Sequence, residues 1–241
     1  NEELEKANKE LDRFVYSASH DMRAPLSTLQ GLLNLANLSS DIEELQGYHQ
    51  MMSNRIKTME GFIKEVTDYS RNSRLQIEWK KIEWAELSKE IQSDLEFIAS
   101  KNGVKLDFPS DVTSEFFCDR QRLKVILNNL IENAIKYHDK NKNSRFVRVK
   151  MENSDGEIII RISDNGIGIK SEYQEKIYDM FFRATERSDG SGLGLYIVIE
   201  TLEKLNGSIT CYSDEGIGTK FEVRIPQKKV LLQNDIIKQA S

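Results

Sequence analysis

The sequence predicts an α+β protein in two parts. An N-terminal helical hairpin dimerises into a four-helix bundle, and a mostly antiparallel or mixed sheet with helices on one face follows it. Three observations predict this. Apolar residues recur at three- and four-residue steps over residues 4–69, and the polar stretch Arg71-Asn72-Ser73-Arg74 breaks that rhythm. Beyond it, short alternating runs interleave with helical ones.

Residues 1–38 read as one helix. Leu4, Ala7, Leu11, Phe14 and Ala18, then Met22, Pro25, Leu29, Leu32 and Ala36, draw a coiled-coil seam. One four-residue stutter, between Ala18 and Met22, locally unwinds it. Ser40-Asp41-Ile42-Glu43 reads as a capping box that opens a second helix, whose stripe is Leu45, Tyr48, Met52, Ile56, Met59, Ile63, Val66 and Tyr69. A lone hairpin cannot cover such a stripe, so two copies are expected to pair as a homodimer. A plain coiled-coil spacer would show the same pattern. The first domain is placed at residues 1–74.

A second domain is placed at 75–227. Strands are predicted at 76–81, 104–108, 115–118, 145–152, 157–163, 208–212 and 220–225, and helices at 84–100 and 193–205. Asp119 is the predicted cap of a helix through Tyr137. Residues 170–190 are polar around a short predicted helix carrying Ile177, Phe181 and Phe182. Residues 228–241 form a tail the core does not require.

Composition narrows the function. The 241 residues are 39% hydrophobic and 30% charged, enough to bury a core. A net charge of −5 argues against a nucleic-acid partner, which would draw a basic surplus. Cys118 and Cys211 stand far apart with no metal or disulfide spacing, which fits a reducing compartment. No apolar run approaches the roughly 20 residues of a membrane span, so no membrane contact by this segment is expected. The chain opens directly in helical pattern, which suggests a segment of a longer protein, membrane-bound or not.

Four motifs carry chemistry. In Ser19-His20-Asp21-Met22-Arg23-Ala24-Pro25, a carboxylate neighbours an imidazole; it can hold the tautomer and take a proton, leaving the other nitrogen more nucleophilic. Pro25 has no N–H for the carbonyl of Asp21, so the helix is expected to bend there. On the next motif, Asn129, Asn133 and Lys136 share one helix face. Their amides offer oxygens to Mg²⁺ and the ammonium offers charge to phosphate, while Tyr137 adds a ring that can stack on a base. Read alone, this is equally a solvated polar face. Asp164-Asn165-Gly166-Ile167-Gly168 offers a carboxylate to an exocyclic amine and glycines that admit close backbone approach; it also reads as a plain turn. Gly190-Ser191-Gly192-Leu193-Gly194 opens a helix, where backbone N–H groups bind phosphate. Gly216-Ile217-Gly218-Thr219 reads as a hairpin turn.

In order and spacing, His-Asp-x-x-x-Pro, Asn-x-x-x-Asn, Asp-x-Gly-x-Gly, an aromatic cluster and Gly-x-Gly-x-Gly resemble the H, N, G1, F and G2 boxes of sensor histidine kinases. The resemblance covers residues 14–225. It implies a dimerisation and phosphotransfer hairpin followed by a Bergerat-type ATP-binding α/β sandwich. It implies that His20 is the phosphoacceptor and Asp21 its general base, that Asn133 is the Mg²⁺ ligand, and that Asn129 and Lys136 lie on the phosphate side. Tyr137 would stack on adenine, Asp164 would bind its amino group, and Gly166 and Gly168 would frame it. Gly190, Gly192, Leu193 and Gly194 would form the phosphate loop. Tyr178, Phe181 and Phe182 resemble the F box beside an ATP lid, with Arg183 and Arg187 near phosphate.

The implied activity is ATP-dependent autophosphorylation of His20, then transfer to an aspartate of a response-regulator receiver domain, in the cytoplasm. The ATP-binding half also resembles gyrase, MutL and chaperone ATPases. Those hydrolyse ATP with a glutamate where this chain has Asn129. A nucleotide-binding pseudokinase scaffold is the other alternative. One departure concerns regulator dephosphorylation: the family associates it with Thr or Asn three residues past the acid, and here that residue is Ala24.

Overall fold

The computed structural model describes residues 2–74, 76–109, 115–154, 156–184 and 191–227. The predicted tail, Gly190 and Arg187 lie outside them. The chain divides into two compact units, Asn1–Ser73 with Met180–Leu193, and Arg74–Asp179 with Gly194–Ser241.

In the first unit, helix α1 spans Glu2–Leu38 and helix α2 spans Ile42–Arg74. Both run long because nothing inside them stops the helix but Pro25, and α1 continues through it. The turn is made by side chains. Asp41 Oδ1 accepts from the N–H of Glu43 at 2.7 Å and of Glu44 at 3.3 Å. Asp41 is therefore the cap, one residue later than the predicted Ser40. Ser39 instead holds the turn, accepting from the Asp41 N–H at 3.1 Å and donating to the Glu44 carboxylate at 2.7 Å. Such a cap contributes about 1 kcal/mol. The seam side of α1 is the covered one: Ala18 and Leu32 are buried, and Met22, Pro25, Leu29 and Ala36 are half-buried. Among the described residues of α2, Phe62 is buried, while Ile56 and Ile63 of the predicted stripe are exposed.

The second unit is a five-stranded mixed sheet with helices on one face. The strands are β2 (Val104–Asp107), β4 (Arg145–Ser154), β5 (Glu157–Asp164), β6 (Ser208–Asp214) and β7 (Gly218–Pro226), in the order β2-β4-β5-β7-β6. Only the β2–β4 pair is parallel. A separate antiparallel ribbon pairs β1 (Lys80–Lys81) with β3 (Phe117–Cys118).

Alternation on the strands sets the core face. Val147 and Val149, Ile158, Ile160 and Ile162, and Phe221, Val223 and Ile225 are all buried. Register places Val149 opposite Ile162, and Ile160 opposite Val223. The other face is polar; Glu222 there accepts from Arg161 at 2.6 Å and from Arg224 at 2.6 Å. Helices α3 (Trp84–Lys101), α4 (Arg120–Lys136) and α5 (Gly194–Lys204) form the covering layer, with α4 packed against both α3 and α5. Leu123, Ile126, Leu127, Leu130, Ile131 and Ile135 of α4 have no exposure at all. Each contributes roughly 1.5–3 kcal/mol by burial.

Asp119 caps α4, accepting from the Arg122 N–H at 3.0 Å and pairing with the Arg122 guanidinium at 2.5 Å. The same carboxylate accepts from the Glu78 N–H, and Arg122 donates to the Gln76 carbonyl. These side chains take the backbone groups that a strand at 76–81 would have paired, so only Lys80–Lys81 are strand. The short helix predicted around Ile177 is a 3₁₀ turn at Ser171–Tyr173 followed by further turns, because the bonds there mostly close over three residues.

Candidate nucleotide pocket and phospho-acceptor segment

The phospho-acceptor candidates occupy the middle of α1. His20 and Asp21 are consecutive helical residues, after buried Ala18 and exposed Ser19 and before half-buried Met22. Ala24 is exposed, and its carbonyl accepts from Thr28 Oγ1 at 3.1 Å.

In the second unit the predicted residues gather at one end of the sheet. Asp164 is the last residue of β5. Its Oδ1 accepts from the Gly166 N–H at 2.7 Å and the Thr219 N–H at 3.3 Å. Burial pushes its carboxyl up to about 6, against the pull of those two N–H groups and the Lys142 ammonium. Burial also raises the Cys211 thiol to about 11, with the Asp164 charge adding to it. The Tyr178 hydroxyl is raised too, chiefly by burial, and it is buried without a hydrogen-bond partner.

Glycine is required around Asp164 because backbones meet there. A Cβ at Gly168, whose φ is +70°, would lie 2.0 Å from the Asp214 carbonyl oxygen. One at Gly166 would lie 2.4 Å from the Tyr137 carbonyl oxygen, and one at Gly218 would lie 2.2 Å from that of Asp164. The Ile167 N–H donates to the Tyr137 carbonyl, and the Gly216 N–H donates to the Ile167 carbonyl. The carboxylate is thus held in a backbone frame that cannot relax away from it.

On α4, Asn129 and Asn133 are half-buried and Lys136 is exposed. Asn129 Nδ2 donates to the Val125 carbonyl at 2.8 Å, which turns its Oδ1 toward the start of α5. A Cβ at Gly194 would lie 2.8 Å from that oxygen and 3.8 Å from Asn133 Nδ2. Two amide side chains therefore border the N-terminus of an 11-residue helix, whose opening N–H groups suit phosphate. The Lys136 ammonium stands 5.0 Å from the Tyr137 ring centroid, within cation–π range. Tyr137 is the C-cap of α4. Among the described residues no group of three or more His, Cys, Asp or Glu could hold a metal by itself. The amides fit a cation that brings phosphate oxygens as its other ligands.

Gly192 and Leu193 belong to the first unit, with Phe181 and Phe182. Gly192 has φ +76°, and a Cβ there would meet the Phe181 carbonyl carbon at 2.7 Å. The Phe181 N–H donates to the Gly192 carbonyl at 3.2 Å, and Phe181 itself has φ +64°. In that unit Ser191 Oγ accepts from the Leu193 N–H and donates to the Glu65 carboxylate of α2.

Three residues escaped the sequence reading. Thr219 sits in the glycine turn read as a hairpin, and its N–H reaches Asp164. Ser213 accepts from the Ile169 N–H at 2.8 Å. Lys142 bridges separate loops, a link between distant residues that no local pattern signals.

Comparison with known proteins finds two family models along the chain. Residues 10–74 match the His Kinase A (phospho-acceptor) domain, and residues 118–229 match the Histidine kinase-, DNA gyrase B-, and HSP90-like ATPase. The methanogenesis regulatory histidine kinase FilI of Methanothrix harundinacea is 31% identical over 93% of this chain, covering 25% of its own length. The chain spans about a tenth to three tenths of the length of the curated relatives it matches. The solved catalytic domain of histidine kinase ThkA is 26% identical, with a TM-score of 0.54 over 62% of this chain and 96% of that one. ThkA in complex with the response regulator TrrA reaches a TM-score of 0.71 at 22% identity, over 90% of this chain and 61% of that one.

Proposed function

The chain belongs to the sensor histidine kinases, and from that premise we propose that it is a kinase core that phosphorylates His20 from ATP and passes the group to an aspartate of a response regulator. The observation that carries the reading is the half-buried Asp164 carboxylate, framed by backbone where glycines meet Tyr137 and Asp214, beside the Asn129, Asn133 and Gly194 cluster. The carboxylate accepts the exocyclic amine of adenine, which selects ATP over GTP. Tyr137 offers its ring to the base. Lys136 and the N–H groups that open α5 take the phosphates. Asn133 would hold Mg²⁺, which supplies charge neutralisation at the phosphates when bound.

In the transfer, one imidazole nitrogen of His20 attacks the γ-phosphorus in line. The bond to the β-phosphate oxygen breaks, ADP leaves, and Asp21 takes the proton from the other ring nitrogen. The Asn129 amide cannot accept a proton, and its Nδ2 is tied to the Val125 carbonyl. Water therefore lacks a base at the Asn129 position, which favours the kinase over the hydrolase. The exposed apolar residues Leu26, Leu33, Ile56 and Ile63 support pairing of two hairpins. The domain limits of this reading are 1–74 and 75–227. The ThkA complex with its regulator supports a receiver domain as the partner. No helix of the described residues is long and apolar enough to cross a membrane.

Incubation with γ-labelled ATP tests the reading. The expected product is an acid-labile, alkali-stable label on the chain, absent from His20→Gln while that variant keeps its ADP affinity. Label that survives in His20→Gln, or ATP turnover with no labelled protein, would overturn it.

A further inference from the structure

Lys142 lies in the loop between α4 and β4, outside every motif used so far. Its ammonium donates to three backbone carbonyls, Gly216 and Ile217 at 2.9 Å each and Gly166 at 3.3 Å. The first two are in the β6–β7 turn, and the third is in the loop that follows Asp164. An ammonium has three donors and no acceptor, so this one is fully used by the three oxygens. The loop that carries Lys142 is itself fixed. Asn141 N–H donates to Asp139 Oδ1, and Asn165 Nδ2 donates to the Ser144 carbonyl while its Oδ1 accepts from the Phe146 N–H. Arg145 donates to the carbonyls of Asp139, Lys140 and Asn102.

We infer that Lys142 is a positioning residue for adenine recognition, a clamp that locks the loop after Asp164 onto the β6–β7 turn so that the carboxylate and its glycines meet the base preformed. The inference rests on the nucleotide-binding reading above. Without the clamp, the loop after Asp164 and the β6–β7 turn keep the Gly216-to-Ile167, Thr219-to-Asp164 and Ile169-to-Ser213 hydrogen bonds but lose three carbonyl contacts gathered on one ammonium, and more of their ordering falls on base binding. The ammonium whose charge favours the ionised Asp164 carboxylate is also lost. The titratable groups then facing Asp164 are Cys211 on β6 and, beyond it, Tyr178.

The test uses the whole chain with Lys142→Met and Lys142→Arg. Lys142→Met is expected to weaken ADP about tenfold and raise the KM for ATP similarly, with the rate of His20 labelling at saturating ATP unchanged. The pH midpoint of ADP binding is expected to move upward, because the cation that favours the ionised carboxylate is gone. Lys142→Arg, which keeps charge and donors, should recover most of the affinity. Hydrogen exchange on the nucleotide-free chain should show faster exchange of the Ile167 and Gly216 amides in Lys142→Met alone. Unchanged affinity, midpoint and exchange would overturn the clamp, as would a labelling rate that falls at saturation. If the parent chain binds no adenine nucleotide, the reading of the pocket falls, and the exchange data still decide the clamp. Should Lys142→Met not fold, Lys142→Gln is read by the same exchange and binding measurements.

Discussion

Replacing Asp164 by asparagine sets the stability of the pocket against its use. The carboxyl would titrate near 3.8 in the unfolded chain and is pushed up to about 6 in the fold. Holding it ionised at about pH 7.5 therefore costs the native state on the order of 3 kcal/mol. Asparagine removes the charge but keeps an oxygen for the Gly166 and Thr219 N–H groups. Its new amide has to be buried, which returns roughly 1–2 kcal/mol. The net gain is about 1–2 kcal/mol, a rise of roughly 2–6 °C in the melting temperature of the nucleotide-free protein. The sign follows from a folded value raised above the unfolded one. The parent is free of this cost below about pH 4, acquires it as pH rises through about 6, and carries all of it above. Calorimetry across that range should show the variant melting below the parent in acid, where only the amide's cost remains, and above it beyond about pH 6. In the same variant ADP should bind at least about tenfold more weakly, and ATP should lose its advantage over GTP, since a half-buried acceptor has become a mismatched amide. An asparagine variant less stable at every pH, with the parent's pH profile, would refute the assignment of the cost to Asp164.

Two further outcomes follow from the geometry. Gly168→Ala should abolish nucleotide binding or unfold the second unit, because its Cβ would sit 2.0 Å from the Asp214 carbonyl oxygen at a φ that L-residues avoid; equilibrium dialysis with ADP and circular dichroism check it. Ala24→Thr should raise the loss of label from phosphorylated regulator in the presence of ADP, because a hydroxyl can orient water and a methyl cannot; rapid dephosphorylation by the parent with no gain in the variant would go against it.

Where a rule acts within a few residues, the sequence was legible. The seam of α1 follows from its three- and four-residue steps, and Asp119 is a cap because a carboxylate precedes an apolar helix. Alternation located β4, β5 and β7. What was missed depends on competition or distance. Ser40 and Asp41 compete for one helix start, and only the turn geometry gives it to Asp41. The segment before β1 looked like a strand, yet its backbone groups are taken by Asp119 and Arg122 from more than 40 residues away. Phe62 rather than Ile63 is buried on α2, a shift of one residue that a period alone does not resolve. In the pocket, Asp164 and its glycines were readable as a motif, while Thr219 and Lys142 join it only after the sheet has closed.

The strand order has a consequence for how the protein is made. The last strand in the sequence, β7, is not at the edge of the sheet but between β5 and β6. A nascent chain that has emerged as far as α5 already contains Asn129, Asn133, Asp164 and Gly194, yet its β5 has only one neighbour. Its isoleucines at 158, 160 and 162 line an open edge of the kind that recruits other chains. Thr219 and the turn that meets Ile167 and Lys142 are still unmade. Nucleotide cannot assist folding until the final 20 or so residues of the domain have been synthesised, a delay set by the topology. Truncation just short of Gly218, which removes β7, should therefore yield aggregation, not a weakened enzyme.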